Sequence, residues 1–167
     1  MKVLLITKGY PGDVMTGVGT YASDLAVALT AAGHTVAHLC TGQRAWRQSC
    51  HLRWGTREGR QVAYLMSAPS LSSISPAGLN QETKLLVVEP MLAEALRVIR
   101  PDLVHAHDLA GIPSAFIPSA RRGGFPVVIT LHDFWPFCRK VLNTNTVEIC
   151  EAADAANRAW GFRALLA

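Results

Sequence analysis

Residues 2–41, KVLLITKGYPGDVMTGVGTYASDLAVALTAAGHTVAHLCT, decide the fold of this 167-residue chain. The stretch opens with an apolar run, KVLLIT at residues 2–7, which predicts a β-strand. From Gly17 onward apolar residues recur at helical spacing, and Gly33 is typical of a left-handed cap at a helix C-terminus. Residues 34–41, HTVAHLCT, then alternate in the manner of a second strand. Strand, helix and strand in this order predict a parallel βαβ unit.

The same alternation continues along the rest of the chain. Further strands are predicted at residues 61–67, 103–108 and 127–131. Further helices are predicted at residues 81–100, with a kink or a break at Pro90, and at 110–122 and 151–166. Residues 42–60 and 68–80 show no clear period and are interpreted as loops. Short apolar strands joined by helical crossovers predict an α/β fold, a single Rossmann-like domain with a doubly wound parallel sheet over residues 1–167.

Composition excludes several classes of protein. Half of the residues are hydrophobic, which is enough for a packed core and too much for a disordered chain. No apolar run reaches the roughly 18 to 20 residues that a membrane-spanning helix needs. The apolar run after Lys2 is also too short for a secretory signal. We therefore expect a cytoplasmic protein.

The cysteines give little sign of a disulfide framework or a metal site. None of them forms a C-x-x-C pair, and the four are Cys40, Cys50, Cys138 and Cys150. In a cytosolic chain, free or buried thiols are the expected state. Cys138 and Cys150 could form a zinc site with the nearby His132, but the irregular spacing of these ligands favours free or buried thiols.

Three predicted strand ends carry polar residues or glycines, and in doubly wound sheets ligands bind outside the carboxyl ends of the strands. The first strand is followed by a loop that reaches the next helix at Gly17 and Gly19. Glycine allows a ligand to approach the backbone, and the free N–H groups of a helix N-terminus suit a phosphate. The spacing matches neither the dinucleotide-binding fingerprint nor a P-loop, so a purely structural tight turn is an equal alternative.

The other two strand ends carry histidines next to aspartates. His105 is most simply a structural histidine, whereas His107 and Asp108 lie nearer the strand tip and are candidates for ligand contact. His132 and Asp133 follow the last predicted strand and place a proton carrier and an acceptor at the same edge. Two histidines without a clear third ligand do not predict a metal site.

Three collinear segments resemble one known family. They are residues 2–36, KVLLITKGYPGDVMTGVGTYASDLAVALTAAGHTV, residues 100–108, RPDLVHAHD, and residues 123–138, GGFPVVITLHDFWPFC. Together they resemble the N-terminal half of a GT-B glycosyltransferase of family 4, the retaining group that uses nucleotide sugars. The resemblance covers most of the chain up to about residue 140 and implies a hexosyltransferase activity.

The resemblance implies roles for individual residues. His132 matches the histidine at the end of strand five that contacts the transferred sugar, and it is the candidate catalytic residue. The glycine-rich loop that lies against the donor diphosphate and the acceptor is matched by Thr16, Gly17, Val18 and Gly19. Positions that line the acceptor side are matched by His107, Asp108 and Asp133. Such enzymes are usually independent of metals, so we expect no metal and no cofactor besides the nucleotide-sugar donor substrate.

A GT-B enzyme has two Rossmann-like domains, with the active site between them. The second domain carries the nucleotide-sugar pocket and a Glu-x7-Glu segment, which these 167 residues lack. We therefore expect an apparently truncated N-terminal, acceptor-side domain that lacks its C-terminal donor-binding domain and is inactive alone.

The net charge of +4 is concentrated in residues 44–60, where five arginines face only Glu58. A solvated surface loop is the simplest interpretation. Binding to an anionic membrane surface or to nucleic acid is an alternative. In the resembled family this region lies on the acceptor side, so Arg53 and Arg57 are predicted to contact an anionic, glycan or lipid-linked acceptor.

Two functions of different class remain as hypotheses. The first is the acceptor-side half of a retaining glycosyltransferase. The second is a non-catalytic Rossmann-like module that binds a sugar or phosphate ligand or pairs with another chain. A third hypothesis is a nucleic-acid-binding protein that acts through the arginine-rich segment, and it predicts steeply salt-dependent binding. We expect no nucleic-acid partner.

Overall fold

The computed structural model describes residues 1–11, 13, 16–43, 49–68, 81–107 and 116–132. The helix predicted at residues 151–166 lies outside these residues, as do the first residues of the helix predicted at 110–122. Within the described part, no helix is long and apolar enough to cross a membrane.

Six strands form one sheet. They are β1 (Lys2–Thr7), β2 (Thr35–Thr41), β3 (His51–Arg57), β4 (Arg60–Met66), β5 (Leu103–Ala106) and β6 (Val127–Ile129). Their order across the sheet is β3-β4-β2-β1-β5-β6, and every neighbouring pair is parallel except β3 with β4. The helices are α1 (Gly17–Ala31), α2 (Gln81–Ile99) and α3 (Phe116–Arg122). The predicted Rossmann-like α/β class is confirmed, with one antiparallel edge strand added.

Alternate residues of β1 face two different layers of helix, which makes the sheet doubly wound. Val3 and Leu5 are buried in one cluster with Ala26 of α1. Leu4 and Ile6 are buried in the other cluster, whose helical members come from α2 and α3. Because both faces of the central strand are covered, its run of apolar residues has no polar alternation.

Helix α1 begins and ends at the residues that its sequence indicates. Thr16 is the N-cap, with extended backbone angles, and its Oγ1 accepts a hydrogen bond from the Gly19 N–H at 3.1 Å. At the other end Gly33 has φ +82°, the left-handed conformation that terminates helices and that glycine adopts without strain. The prediction that Gly33 closes the helix is confirmed.

The interpretation of residues 42–60 as a loop is wrong for its second half. Strand β3 pairs antiparallel with β4 along its whole length, and the two are joined by Glu58 and Gly59. Both turn residues have positive φ, 53° and 73°, as the tightest hairpin turns require. Strand β3 lacks a clear hydrophobic period because it lies at the edge of the sheet, where all seven of its residues are exposed or half-buried.

One helix and two strand ends also differ from the predictions. Helix α2 is one continuous element that includes Pro90, so the alternative of two short helices is wrong. Strand β5 ends at Ala106, which places His107 just beyond the strand. Strand β6 ends at Ile129, two residues before the predicted end at residue 131.

Candidate functional site

Two histidines from neighbouring strands meet at the carboxyl edge of the sheet. His107 follows β5 and His132 follows β6, and the parallel pairing of these strands brings their carboxyl ends side by side. Nδ1 of His107 lies 3.3 Å from Nε2 of His132. The ring centroids are 5.5 Å apart. The structure thus joins two of the residues that the sequence singles out.

Tyr21 of α1 completes this edge, and the sequence analysis did not single it out. Its ring centroid lies 5.1 Å from that of His132 and 5.5 Å from that of His107. The side chain is 45% exposed, so the ring has a free surface in spite of these contacts. The available signal was its position one helical turn after Gly17, the glycine that opens the helix. We call Tyr21, His107 and His132 the aromatic rim.

His105 of β5 contacts the aromatic rim through His107. Its Nε2 lies 2.8 Å from Oγ1 of Thr130, and its ring centroid lies 4.1 Å from that of His107, with the two planes tilted by 38°. Burial lowers the pKa of His105, and the nearby His132 imidazole lowers it further. A half-buried imidazole with a hydroxyl partner agrees with the interpretation of His105 as a structural histidine.

His107 is the most deeply buried member of the aromatic rim, with only 3% of its surface exposed. Burial lowers the pKa of His107 to about 3, and the neighbouring imidazoles of His105, His132 and His38 contribute to the shift. The ring is therefore neutral near pH 7. Its Nε2 is buried and has no hydrogen-bond partner among the described residues.

The glycine loop opens the N-terminus of α1 toward solvent. Thr16 and Gly17 are exposed, Val18 is half-buried and Gly19 is buried. A Cβ added to Gly17 would meet no atom of the described residues within 4 Å, and Gly17 does not have a positive φ. Neither packing nor backbone conformation therefore requires glycine at position 17, and its missing side chain leaves open space beside free N–H groups of the helix.

Arg53 and Arg57 do not lie with the aromatic rim. The guanidinium of Arg57 forms two hydrogen bonds to the carboxylate of Asp13, at 3.0 and 3.2 Å, and covers the ring of Tyr10. The guanidinium of Arg53 covers the ring of Tyr64. Their strand is four positions away from β5 in the sheet, roughly 19 Å at the usual strand spacing. Their acceptor-side role stays a prediction.

The remaining site residues and thiols divide between described and undescribed parts of the chain. Asp108, Asp133, Cys138 and Cys150 lie outside the described residues. Cys40 and Cys50 are free thiols, as expected. Within the described ranges, no group of three or more His, Cys, Asp or Glu residues could hold a metal ion.

A fourth imidazole, which sequence reasoning passed over, lies inside the sheet. His38 of β2 is 1% exposed, and its ring centroid is 5.0 Å from that of Tyr10. Neither ring nitrogen has a hydrogen-bond partner among the described residues. Burial lowers the pKa of His38 to about 4, with a further contribution from the positive charge of Arg60. Its place in an alternating strand gave no sign that it differs from its apolar neighbours.

A family model decides the identity of the domain. The model, described as a glycosyl transferase 4-like domain, matches residues 16–166. The chain belongs to this family. A comparison with curated proteins found no sequence match to this chain.

Solved structures share the fold of this glycosyl transferase 4-like domain at low sequence identity. The catalytic domain of starch synthase IV from Arabidopsis thaliana, bound to ADP and acarbose, has a TM-score of 0.51 at 20% identity over 80% of this chain and 34% of that chain. Sucrose-phosphate synthase from Thermosynechococcus elongatus has a TM-score of 0.55 at 16% identity over 93% and 39%. Trehalose-6-phosphate synthase from E. coli, bound with UDP-2-fluoro glucose, has a TM-score of 0.51 at 15% identity over 94% and 38%.

These three proteins are GT-B glycosyltransferases, and the resemblance predicted from the sequence is confirmed at the level of the fold. The glycosyl transferase 4-like domain spans between 34% and 39% of the length of each.

Proposed function

We propose that this domain is the acceptor-side half of a retaining glycosyltransferase, which moves a sugar from a nucleotide-sugar donor to an acceptor hydroxyl. The observation that carries the proposal is the aromatic rim. Tyr21 contacts both His107 and His132, so the helix that opens at Gly17 and the two strand tips border one edge of the sheet. Ligands of doubly wound sheets bind outside this edge.

The start of α1 suits the diphosphate of the donor. Thr16 Oγ1 accepts the N–H of Gly19, while the N–H groups of Gly17 and Val18 have no acceptor within the helix. These groups and the helix dipole favour an anion, and the open space at Gly17 lets phosphate oxygens approach the backbone. The N–H groups and the helix dipole would then stabilise the negative charge of the diphosphate without a metal. The donor-binding domain would supply further basic groups.

His132 would then contact the transferred sugar from the other side of the aromatic rim. In the reaction the bond between the anomeric carbon and the diphosphate oxygen breaks, and a bond from that carbon to the acceptor oxygen forms on the same face. The proton of the acceptor hydroxyl leaves with the diphosphate. Preorganised donors near the departing oxygen stabilise the charge that develops there.

The decisive experiment combines this chain with a separately expressed GT-B donor-binding domain and follows transfer of labelled sugar. UDP-glucose and ADP-glucose are both supplied as donors. Transfer by the mixture, and none by the chain alone, is the expected result. Ligand binding by the chain without transfer by the mixture would favour the non-catalytic binding module. Steady-state turnover by the chain alone would contradict the proposal that it is inactive by itself.

The same proposal includes a role in acceptor binding for the hairpin of β3 and β4, which carries Arg53 and Arg57. Arg53 is the better candidate, because the guanidinium of Arg57 is already paired with Asp13. Arg53→Ser and Arg57→Ser are each expected to weaken binding of an anionic or lipid-linked acceptor and to leave the melting temperature nearly unchanged. A large fall in the melting temperature would refute this role. Contact with an anionic membrane and a cytoplasmic location stay predictions.

A further inference from the structure

The pair of imidazoles at the aromatic rim has a chemical requirement of its own. Two imidazole nitrogens that lie 3.3 Å apart form a hydrogen bond only if one of them carries a proton and the other does not. Either His107 donates from Nδ1 to Nε2 of His132, or His132 donates from Nε2 to Nδ1 of His107. The surroundings of the two rings distinguish these arrangements.

The buried end of His107 favours the first arrangement. If His132 were the donor, the single proton of neutral His107 would sit on Nε2. That atom is buried and has no hydrogen-bond partner among the described residues, so an N–H there would be a buried, unpaired donor. With the proton on Nδ1, Nε2 is instead an unpaired acceptor, and among buried backbone groups unsatisfied acceptors are less rare than unpaired donors.

We propose that His107 is a positioning residue that donates its Nδ1 proton to Nε2 of His132 and thereby holds His132 in the tautomer protonated at Nδ1. His132 then offers a hydrogen-bond donor to its ligand, not a base, because its Nε2 lone pair is occupied by His107. The ligand group that fits this donor is an oxygen with free lone pairs, such as a sugar hydroxyl or a phosphate oxygen. The identity of the ligand rests on the proposed function. The tautomer rests on the geometry of the two rings.

The tautomer is measured without any sugar. Two-bond 1H–15N correlation spectra of the 15N-labelled 167-residue chain at pH 7.5 report which nitrogen of each histidine carries the proton. Both His107 and His132 are expected to show the pattern of a proton on Nδ1. A proton on Nε2 of either residue would overturn the inference. The spectra do not depend on sugar transfer. A wrong tautomer assignment can therefore be distinguished from a wrong proposed function.

Variants at position 107 provide matched controls. The side-chain amide of His107→Asn puts an N–H donor close to the original Nδ1, whereas His107→Phe keeps an aromatic ring without a donor. His132 is expected to keep the Nδ1 proton in the asparagine variant and to lose that preference in the phenylalanine variant. An unchanged His132 tautomer in a folded phenylalanine variant would contradict the inference. If that variant does not fold, the wild-type and asparagine spectra still decide.

Activity adds a second readout in the enzyme assembled with its donor-binding domain. His107→Phe is expected to lower kcat about tenfold, the effect of one hydrogen bond of ordinary strength, while His107→Asn stays within about threefold of wild type. Equal losses in both variants would show a merely structural role for His107 and would overturn its assignment as a positioning residue.

Discussion

The ring of Tyr21 meets the imidazole of His132 edge to face, with 5.1 Å between the ring centroids and 70° between the planes. Tyr21 belongs to the first helix and His132 follows the last described strand, so this contact closes one end of the sheet edge. Edge-to-face packing of aromatic rings stabilises a particular orientation and not only proximity. Tyr21 therefore helps to determine the orientation in which His132 is held.

Replacing Tyr21 tests this arrangement. Tyr21→Ala is expected to weaken donor binding by up to about tenfold, because binding must then supply the orientation of His132 that an aromatic contact worth about 0.5–1.5 kcal/mol otherwise maintains. Tyr21→Phe keeps the ring and is expected to stay within about twofold of wild type. Titration of the enzyme assembled with its donor-binding domain, with UDP-glucose or ADP-glucose as the ligand, measures both affinities. Unchanged affinity in the alanine variant would show that the ring does not organise the site.

Gly17→Ala separates binding from stability. The new methyl group meets no described atom, and alanine forms helices better than glycine, so the free energy of unfolding should stay the same or rise by up to about 1 kcal/mol. The methyl group occupies the space assigned to phosphate oxygens, so the donor affinity of the enzyme assembled with its donor-binding domain should fall at least about tenfold, the equivalent of about 1.4 kcal/mol.

Gly33→Ala is the matched control for that variant. The chemical change is the same, but Gly33 has φ +82°, a conformation that costs other residues about 1–2 kcal/mol. This variant should lose stability in urea unfolding and bind donor like the wild type. A Gly17→Ala variant that also binds donor like the wild type would contradict the phosphate site at α1.

Thr16 contributes to stability through its cap. Thr16→Ala removes the acceptor for the Gly19 N–H and should lower the free energy of unfolding by about 1 kcal/mol, whereas Thr16→Ser keeps the hydroxyl and should be nearly neutral. Urea unfolding at pH 7.5 measures the difference. Equal midpoints for the alanine and serine variants would show that the cap does not stabilise α1.

His38 should make stability depend on pH. Its pKa is about 4 in the folded protein and ordinarily 6.5, so between these values the unfolded chain binds a proton that the folded chain does not. Stability is therefore fully present above about pH 6.5 and decreases as pH falls, by roughly 2 kcal/mol at pH 5 from His38 alone. His107, whose folded pKa is about 3, adds to the loss in the same direction.

The contribution of His38 is isolated by His38→Leu, which removes the titrating group from the buried position. Urea unfolding at several pH values between 5 and 7.5 should show a shallower dependence in this variant than in the wild type. Identical slopes would mean that His38 does not take part in the acid destabilisation.

The sequence predicted the fold where local pattern and tertiary packing agree. Contacts that a short segment makes in any doubly wound sheet explain three of the predicted features. They are the apolar runs of β1 and β2, the helical period of α1 and the cap at Gly33. Strand β3 could not be predicted in this way, because an edge strand buries few side chains and so shows no hydrophobic period. Its only local signal was the Glu58–Gly59 turn.

The candidate site could be predicted only in part, for a different reason. Parallel strands place His107 and His132 at the same edge, so their proximity follows from topology. The contact of Tyr21 with the two histidines depends on how α1 is rotated over the sheet. In the sequence alone, Tyr21 cannot be distinguished from the apolar positions of the helix. The burial of His38 under Tyr10 depends on the path of the loop after β1, which no periodicity reports.

The shortness of β6 has a consequence for how the two sides of the aromatic rim respond to a ligand. β6 pairs with β5 through three residues and is one of the two edge strands of the described sheet, whereas α1 packs on β1 and β2 through buried alanines. Segments with few buried contacts open locally at low free-energy cost. Amide hydrogens of residues 127–129 should thus exchange before those of β1, and the His132 side can adjust its fit while the Tyr21 side stays rigid.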